Sequence, residues 1–280
     1  MVKAAVSLCA IIVLLVPVAS LAASAPLFPT PLHLTRQVHD SISDKTAVLE
    51  EYGYGNRLVA IRGALTSIAD YEKGELVEID RDNGTYSITR FDALAKAAQR
   101  VNPPSATRVE AASADKLTRA MRSVGVKAAK NGRSAEFFEA AIDTPSVKET
   151  ISIGIDRSAL VSKEALEVLL GAAYPGVRTG EHDAVLSAAA PPGRPVVASS
   201  AGAQPAESGY ALPVEQVIRY EMEGQRVEIR SSVMRVGSEA PPADLVAIPA
   251  GARLVTSRIV AVAAELELLE HPTATPPKRP

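Results

Sequence analysis

Short turn sequences flanked by alternating apolar and polar residues recur along this chain, and such a pattern predicts β-hairpins. Two of these turns, Lys73-Gly74 and Asn83-Gly84, lie close enough together to predict a three-stranded meander. If each is a two-residue turn, counting outward places three isoleucines in one row across the meander, namely Ile68, Ile79 and Ile88. The pattern therefore predicts an antiparallel sheet with one apolar face.

A second clearly patterned hairpin is predicted late in the chain, around Glu223-Gly224. Counting outward from this turn opposes two apolar pairs on one face, Ile218 with Ile229 and Tyr220 with Val227. The same count opposes two charged pairs on the other face, Arg219 with Glu228 and Glu221 with Arg226. Such pairs contribute roughly 0.2–1 kcal/mol each, so they mainly select the register of the hairpin.

The remaining elements follow from the same periodicities. A hairpin at Asn131-Gly132 is predicted to oppose Val126 to Phe137 and Lys127 to Glu136. Alternation predicts further strands over residues 32–39, 45–54, 57–62 and 147–156. Helical spacing predicts helices over 91–98 and 162–173, and weaker helical signals cover 115–122, 181–189 and 259–270. A long antiparallel sheet with a few covering helices is an α+β architecture.

The amino-terminal segment has the layout of a secretory signal peptide, in which a positive charge precedes an apolar run, here residues 4–16. The run is shorter than the ~20 residues of a bilayer-spanning helix, and Pro17 interrupts it. Small residues favour cleavage after Ala22 over cleavage after Ala25, which precedes a proline. We therefore expect export, to the periplasm of a two-membrane bacterium or otherwise to the cell exterior, and a mature protein that does not span a membrane.

Composition narrows the chemistry further. The only cysteine, Cys9, lies in the predicted signal, so the mature chain has no thiol for disulfides, metal binding or nucleophilic attack. Only 4% of the residues are aromatic and none is tryptophan, which predicts an aliphatic core. Lys plus Arg number 30 and Asp plus Glu number 32, so no excess positive charge exists to attract nucleic acid.

Stretches rich in Pro, Ala, Ser and Gly divide the chain. Linkers are predicted near 100–106 and 190–209. These segments contain too few large apolar side chains to offset the entropy lost when a segment becomes ordered. The predicted organisation is a signal peptide over 1–22, a single domain over 31–270 that these linkers interrupt, and a disordered tail over 271–280.

Two parts of the sequence resemble a known family. Residues 68–74 (IADYEKG) precede an Ile-Asp strand and a Tyr-containing strand over 76–88, and residues 244–254 place an apolar residue, Pro and Gly before a final strand. These segments resemble LolA-like periplasmic proteins. The resemblance implies a curved antiparallel sheet, an incomplete β-barrel with helices covering its concave face. It also implies a role in carrying lipoproteins, binding lipids or sensing envelope stress.

Histidines and acidic pairs are the candidate chemical groups. The four histidines are His33, His39, His182 and His271, and none has the spacing of a zinc-binding HExxH motif. His33 and His39 are six residues apart, on one face of an unbroken strand, so a metal site is conceivable, but two polar edge-strand residues are the favoured interpretation. Glu181-His182-Asp183 is interpreted as a solvated cluster.

The remaining matches to catalytic motifs are incomplete. Ser113-Ala-Asp-Lys116 fits S-x-x-K but lacks its partner motifs, and Gly53-Tyr-Gly55 lacks the third glycine and the helix of a dinucleotide loop, so it is interpreted as a hairpin end. Glu50 and Glu51 are expected on opposite faces of a strand, and Asp80 with Asp82 is typical of a turn. The sequence therefore predicts no enzymatic activity, no metal and no cofactor.

The apolar positions remain as the candidate functional surface. The candidate ligand-binding residues, all expected on the concave face, are Ile68, Ile79, Tyr86, Ile88, Ile218, Tyr220, Val227 and Ile229. They either pack against the helix at 162–173 or line a cavity. The first hypothesis is a non-enzymatic binder of a lipid, a lipidated protein or another apolar ligand. The alternative is an envelope sensor or interaction module with a closed core, whose partner binds an edge strand or residues 190–209.

Overall fold

The computed structural model of this chain describes residues 25–101, 121–143, 148–173, 185–191, 209–222, 225–258, 260–262 and 264. The strands are β1 (Phe28–Asp40), β2 (Lys45–Gly55), β3 (Arg57–Arg62), β4 (Leu65–Asp70), β5 (Glu75–Asp80), β6 (Thr85–Arg90), β7 (Arg122–Ala128), β8 (Ser134–Asp143), β9 (Lys148–Val161), β10 (Tyr210–Met222), β11 (Gln225–Gly237) and β12 (Arg253–Leu254). The helices are α1 (Phe91–Val101), α2 (Lys163–Ala173) and the single turn α3 (Ala243–Val246), and residues 185–189 are also helical.

All twelve strands in the described part of the chain belong to one sheet with the order β12-β6-β5-β4-β3-β2-β1-β11-β10-β9-β8-β7. Neighbouring strands are antiparallel throughout, except that β12 pairs with β6 in parallel. The sheet is not closed, since β12 and β7 form its two ends. The predicted antiparallel sheet with a few helices is therefore confirmed.

The two helices that the spacing predicts are confirmed. In α2, the N-cap is Ser162, whose hydroxyl accepts a hydrogen bond from the Ala165 N–H at 3.0 Å, and the leucine stripe of the helix is buried. α1 begins directly after β6, where the Phe91 N–H donates to the Gly74 carbonyl at 2.8 Å.

The weaker helical signals fall only partly on described residues. In the segment 115–122, Met121 is not helical and Arg122 begins β7. The segment 181–189 is helical over 185–189, and 259–270 is helical at 260–262 and 264. The other residues of these segments lie outside the described part of the chain, as do the signal peptide, the tail and most of both linkers.

Three hairpins share a four-residue turn that follows an aspartate. These are the hairpins β1–β2, β4–β5 and β5–β6. In each, the last strand pair before the turn joins an aspartate to the residue five positions later, and the aspartates are Asp40, Asp70 and Asp80. Each carboxylate accepts a backbone N–H inside its turn, from Ile42, Lys73 and Asn83 respectively. The last turn residue has a positive φ in each case, in Asp44, Gly74 and Gly84. The aspartate and the left-handed residue together set the turn length.

This turn length corrects the predicted register of the meander. Two-residue turns at Lys73-Gly74 and Asn83-Gly84 would have opposed Ile79 to Ile68 and Ile88. The four-residue turns instead oppose Ile79 to Thr66 and Tyr86, and they oppose Ile68 and Ile88 to Val77. Because the shift is two residues, all three isoleucines still share one face, as predicted.

The turn at Asn131-Gly132 is also longer than predicted. The Ala129 N–H donates to the Arg133 carbonyl at 2.8 Å, so the loop has three residues, with Gly132 at a φ of 78°. Val126 therefore opposes Glu136, and Lys127 opposes Ala135. The predicted opposition of Val126 to Phe137 and Lys127 to Glu136 is wrong by one residue.

The late hairpin has the predicted register. Ile218 opposes Ile229, Tyr220 opposes Val227, Arg219 opposes Glu228 and Glu221 opposes Arg226. Arg219 Nε donates to Glu228 Oε2 at 2.8 Å. The strands 32–39, 45–54 and 57–62 are confirmed, and the strand 147–156 is confirmed over its described residues.

Different segments of the chain pack against the two faces of the sheet. On one face, here called the helix face, α2 packs its Leu166 and Leu170 against Ile151 and Ile153. α1 packs Leu94 against Leu76 on the same face, further along the sheet. The described part of the chain contains no helix that is long and apolar enough to cross a membrane.

The opposite face, here called the strap face, is crossed by residues 238–252, here called the strap. Leu245 and Val246 of the strap pack on Tyr52, Val59 and Ile61. The strap leads into β12 at the sheet edge, and Ser257 beyond it donates to Glu78 Oε2 at 2.9 Å. The closing part of the chain thus passes over one face and around the edge strand β6.

Candidate functional site

The eight candidate residues do not share one face. Register relationships place Ile68, Ile79, Tyr86 and Ile88 on the strap face. They place Ile218, Tyr220, Val227 and Ile229 on the helix face. Two separate groups of four therefore replace the single lined surface that we expected.

A one-residue bulge in β11 causes this separation. Thr35 of β1 opposes Arg235, but the next residue, Arg36, opposes Val233, so Met234 is an extra residue in β11. Without this residue, Ile229 would lie on the same face as Thr35 and hence, through the pairing of β1 to β5, as Ile79. Because side chains alternate along a strand, one inserted residue transfers every later position to the other face.

Burial also differs among the eight. Ile79 and Ile218 are 1% and 3% exposed, whereas Ile88 is 48% exposed. The other five are half-buried. Ile218 packs in the cluster around Ile151 and Ile153, with Tyr220 against its margin. Whether any of the eight contacts a ligand remains a prediction.

A buried ion pair lies at the centre of the helix face. Arg36 of β1 and Glu51 of β2 are 1% and 0% exposed, and Arg36 Nε donates to Glu51 Oε2 at 2.9 Å. Burial raises the pKa of the Glu51 carboxyl, and the positive charge of Arg36 opposes that shift. The second carboxylate oxygen, Oε1, is buried and has no hydrogen-bond partner among the described residues.

A buried amide continues this polar cluster across the sheet. Arg36 Nη1 donates to the Ser231 hydroxyl at 3.5 Å, and Ser231 opposes Gln216 on β10. Gln216 is 2% exposed, and within the described part of the chain neither its Nε2 nor its Oε1 has a hydrogen-bond partner. Burying an amide without hydrogen-bond partners costs free energy, and a hydrogen-bonding group placed beside Gln216 would reduce that cost.

Three successive residue pairs connect this cluster to the surface. Along β10 and β11, the pair Gln216–Ser231 is followed on the same face by Ile218–Ile229 and then by Tyr220–Val227. Exposure rises along this series, from a fully buried polar pair to a half-buried apolar pair. The series thus has an apolar outer end and a polar inner end.

A second polar cluster lies on the strap face, around His33. Its Nε2 lies 2.6 Å from Glu50 Oε2, and its Nδ1 lies 3.1 Å from Glu239 Oε2 of the strap. The ring stacks on Tyr52 with centroids 4.2 Å apart, and Thr35 donates to Glu50 at 2.9 Å.

Two groups that neighbour His33 have shifted pKa values, Tyr52 and Glu239. Burial raises the pKa of the Tyr52 hydroxyl, and Glu50 and Glu239 add to that shift. The pKa of Glu239 is lowered by a hydrogen bond from its own backbone N–H and by the contact with His33. Arg235 also pairs with Glu239.

The other candidate groups that the structure describes do not come together in one place. His39 contacts Thr46, and it does not share a site with His33. Glu50 and Glu51 do lie on opposite faces. The described residues contain no group of three or more His, Cys, Asp or Glu side chains suited to holding a metal ion. Ser113, Lys116, His182 and His271 lie outside the described residues.

The glycine pair at 53 and 55 is a hairpin end, as predicted. Gly55 has a φ of 56° and belongs to the short turn between β2 and β3. Gly53 lies under Phe28, and a Cβ there would come within 2.5 Å of the ring. Asp80 is a turn residue, and its pKa is lowered by hydrogen bonds from the Asn83 side chain and backbone.

The sequence carried a signal for the buried cluster that the hairpin analysis did not use. In the alternation Leu32, Leu34, Arg36, Val38, the arginine occupies a position where an apolar residue is expected. Gln216, between Val214 and Ile218, interrupts its strand in the same way. A polar residue in an otherwise apolar alternation indicates a buried polar group.

Comparisons with known proteins give little to set beside this geometry. No protein-family model and no curated protein sequence matches the chain. Among solved structures, the structure of PNGF-II in space group C2 is similar over 85% of this chain and 32% of that chain, with a TM-score of 0.35 and 6% identity. A similarity this low supports no statement about function.

Proposed function

We propose that this chain is an exported, non-enzymatic protein that binds an apolar ligand on the helix face, with the apolar part at Tyr220, Val227 and Ile229 and a polar group at Gln216. One observation carries the proposal, namely the buried Gln216 amide without a partner among the described residues. A ligand that supplies a hydrogen-bond acceptor and donor at that depth would offset the cost of burying the amide.

Charge favours a ligand with an uncharged polar group. Arg36 and Glu51 already neutralise each other, and the other charged side chain at the site, the buried Glu149 opposite Tyr220, is acidic. The site therefore has hydrogen-bonding groups but no excess positive charge to attract an anion. Esters and amides that carry acyl chains, such as acylglycerols and the acylated termini of lipoproteins, fit this description. A free fatty acid fits it less well, because its carboxylate would be buried without a counter-charge.

The test compares the same substitution on the two faces. Binding of a fluorescent acyl probe, and its displacement by a monoacylglycerol or by a fatty acid, is measured on the wild type, on Ile229→Gln and on the matched control Ile88→Gln. We expect the monoacylglycerol to compete better than the fatty acid. We expect Ile229→Gln to weaken probe binding about tenfold, whereas Ile88→Gln leaves it unchanged.

Other outcomes contradict the proposal in distinct ways. Weaker binding for Ile88→Gln alone would place the site on the strap face. Absence of binding for several lipid classes, with circular dichroism showing a folded protein, would contradict ligand binding altogether. Export is tested separately by amino-terminal sequencing of secreted material, which we expect to begin near Ala23.

The second candidate function is that of a protein-interaction module, and the β7 edge favours it. β7 pairs with β8 on one side, and no described strand pairs with its other side. Val126 is 67% exposed on this edge. An uncovered edge strand offers backbone groups to an extended segment of a partner protein.

Proline scanning tests this alternative. Successive N–H groups point to opposite sides of a strand, so Val126→Pro and Lys127→Pro remove one inward and one outward donor between them. The variant that remains as stable as wild type has lost the outward donor. If it still captures the same envelope partner as wild type, β7 is not the interaction edge.

A further inference from the structure

The strap is held at one end by a histidine that contacts two carboxylates, and this arrangement has a consequence that is independent of ligand binding on the helix face. Glu239 at the start of the strap contacts His33 and Arg235 on the sheet. Further along, Arg81 Nη2 donates to the carbonyls of Asp244 and Leu245 at 2.9 and 2.6 Å. Leu245 and Val246 lie at this second anchor and cover the apolar sheet surface.

The apolar surface beneath the strap is one continuous row. Directly opposed residues lead from the half-exposed sheet edge to the histidine, in the order Ile88, Val77, Ile68, Val59, Tyr52 and His33. Exposure falls along this row, from 48% at Ile88 to 0% at Val59. The strap therefore separates the inner half of an apolar row from water, and the outer half is already accessible.

The number of protons on His33 decides how many carboxylates it binds. An imidazole that carries protons on both nitrogens donates to Glu50 and Glu239 together. An imidazole with one proton donates to one of them, and its bare nitrogen then faces the lone pairs of the other carboxylate. Because the Glu50 contact is shorter, at 2.6 Å against 3.1 Å, the contact to Glu239 is the one that is lost.

We propose that His33 and Glu239 form a proton-dependent clasp, which closes the strap over the apolar row when His33 is doubly protonated and loosens it as the pH rises. The charged and titratable groups that face His33 are Glu50 and Tyr52 from β2, Arg235 from β11 and Glu239 from the strap. With His33 charged, the two carboxylates are balanced by two positive groups. With His33 neutral, Arg235 alone remains.

The sign of the pH dependence follows from this balance. Only a doubly protonated ring donates to both carboxylates, so we expect the strap to be closed at low pH and to loosen as the pH rises. Histidine ordinarily changes charge between roughly pH 5 and 8. A surface that is apolar and covered in one state and accessible in the other would bind an apolar partner only at the higher pH.

Amide hydrogen exchange of the strap is the direct test. The N–H groups of Leu245 and Ala247 are hydrogen-bonded within the strap, to the Pro242 and Ala243 carbonyls. Their protection factors, corrected for the intrinsic pH dependence of exchange, are measured between pH 5.5 and pH 8. For the wild type we expect protection to fall about tenfold over this range, the loss of one charge-assisted hydrogen bond.

Three variants make the test specific. In His33→Gln and in Glu239→Gln the protection should no longer depend on pH, and the second change is on a half-exposed side chain that does not endanger folding. His39→Gln is the matched control, because His39 lies on the same strand and face but contacts only Thr46 among the described residues. It should behave as the wild type does.

The clasp is refuted by any of three results. These are wild-type protection that does not change with pH, an unchanged pH dependence in both His33→Gln and Glu239→Gln, and a loss of pH dependence in His39→Gln. None of these results bears on Ile229 or Gln216, so ligand binding on the helix face stands or fails separately.

Discussion

Two ion pairs join β1 to β2, and they use neighbouring glutamates on opposite faces of the same sheet. Glu50 meets His33 on the strap face, where its side chain is 32% exposed. Glu51 meets Arg36 on the helix face, where both partners are almost fully buried. The two pairs are a few residues apart in sequence and both basic partners are buried, yet Glu50 keeps contact with solvent whereas Glu51 is enclosed.

The difference shows that burial, more than residue type, decides how much the loss of one charge in an ion pair destabilises the fold. At His33 the imidazole is buried, but its partner Glu50 is partly exposed, so a charge left on Glu50 remains hydrated. At Arg36 both partners are enclosed, so removing one charge leaves the other in an apolar environment. The strap face is therefore suited to a switch, and the helix face to a permanent polar site.

The largest expected effect is on the buried pair. Arg36→Met should lower the free energy of unfolding by about 3–5 kcal/mol near pH 8, because it leaves the Glu51 carboxylate buried and unpaired. The pKa of Glu51 in the folded state, already raised by burial, rises further without Arg36. The folded state then binds a proton that the unfolded state releases, so the stability of the variant decreases as pH rises above the ordinary glutamate range.

Urea denaturation at pH 5 and pH 8 measures this effect. The double variant Arg36→Met with Glu51→Leu should recover most of the loss and should not share the pH dependence. An equal loss at both pH values would mean that Glu51 does not remain buried when its partner is removed.

A smaller effect compares the covered and accessible parts of the strap face. Ile79→Ala should cost about 2–5 kcal/mol, since Ile79 is 1% exposed. Ile88→Ala, the same change on the same face, should cost less than about 1 kcal/mol, because nearly half of Ile88 is exposed. Chemical denaturation gives both values, and equal losses would contradict the register of β5 and β6.

The smallest expected effect concerns a half-buried ion pair that the sequence predicted, Arg219 with Glu228. The hydrogen bond from Arg219, together with Arg230, lowers the pKa of Glu228. Glu228→Gln should cost less than about 1 kcal/mol at pH 7, and added salt should reduce the difference. A lowered carboxyl pKa stabilises the fold above the ordinary value of 4.5, so the difference from wild type should disappear as pH falls below it. Thermal melts at pH 3 and pH 7 measure this, and a difference that persists at pH 3 would exclude the ion pair as its cause.

Short-range pairing was predictable where the turn length was known. At Glu223-Gly224 the apolar and charged pairs sort onto separate faces only in the observed register, so the hairpin could be read from its residues. In the earlier meander, register depended on aspartates that hydrogen-bond within the turn, at Asp70 and Asp80. Those hydrogen bonds lengthen the turn, and the alternation of apolar residues does not reveal them because a shift of two residues preserves it.

The buried polar residues were visible in the sequence as exceptions, but their meaning was not. Arg36 and Gln216 each stand in an apolar alternation, which indicates that they are buried. Neither position indicates its partner, because the residues that meet Arg36 lie 15 and 195 positions away, at Glu51 and Ser231. The strap contacts of His33 are equally distant, since Glu239 lies 206 positions later.

By itself, the sequence determined the local elements of this protein: the antiparallel strands, helices α1 and α2, the capping by Ser162, and which residues share a face within the early meander and within the late hairpin. The tertiary structure alone decided which face each hairpin presents. The physical reason is the period of two along a strand, which lets the single extra residue Met234 transfer the apolar side of the late hairpin from the strap face to the helix face. Alternation within a strand is a local property, whereas its relation to a distant strand depends on every turn and bulge between them.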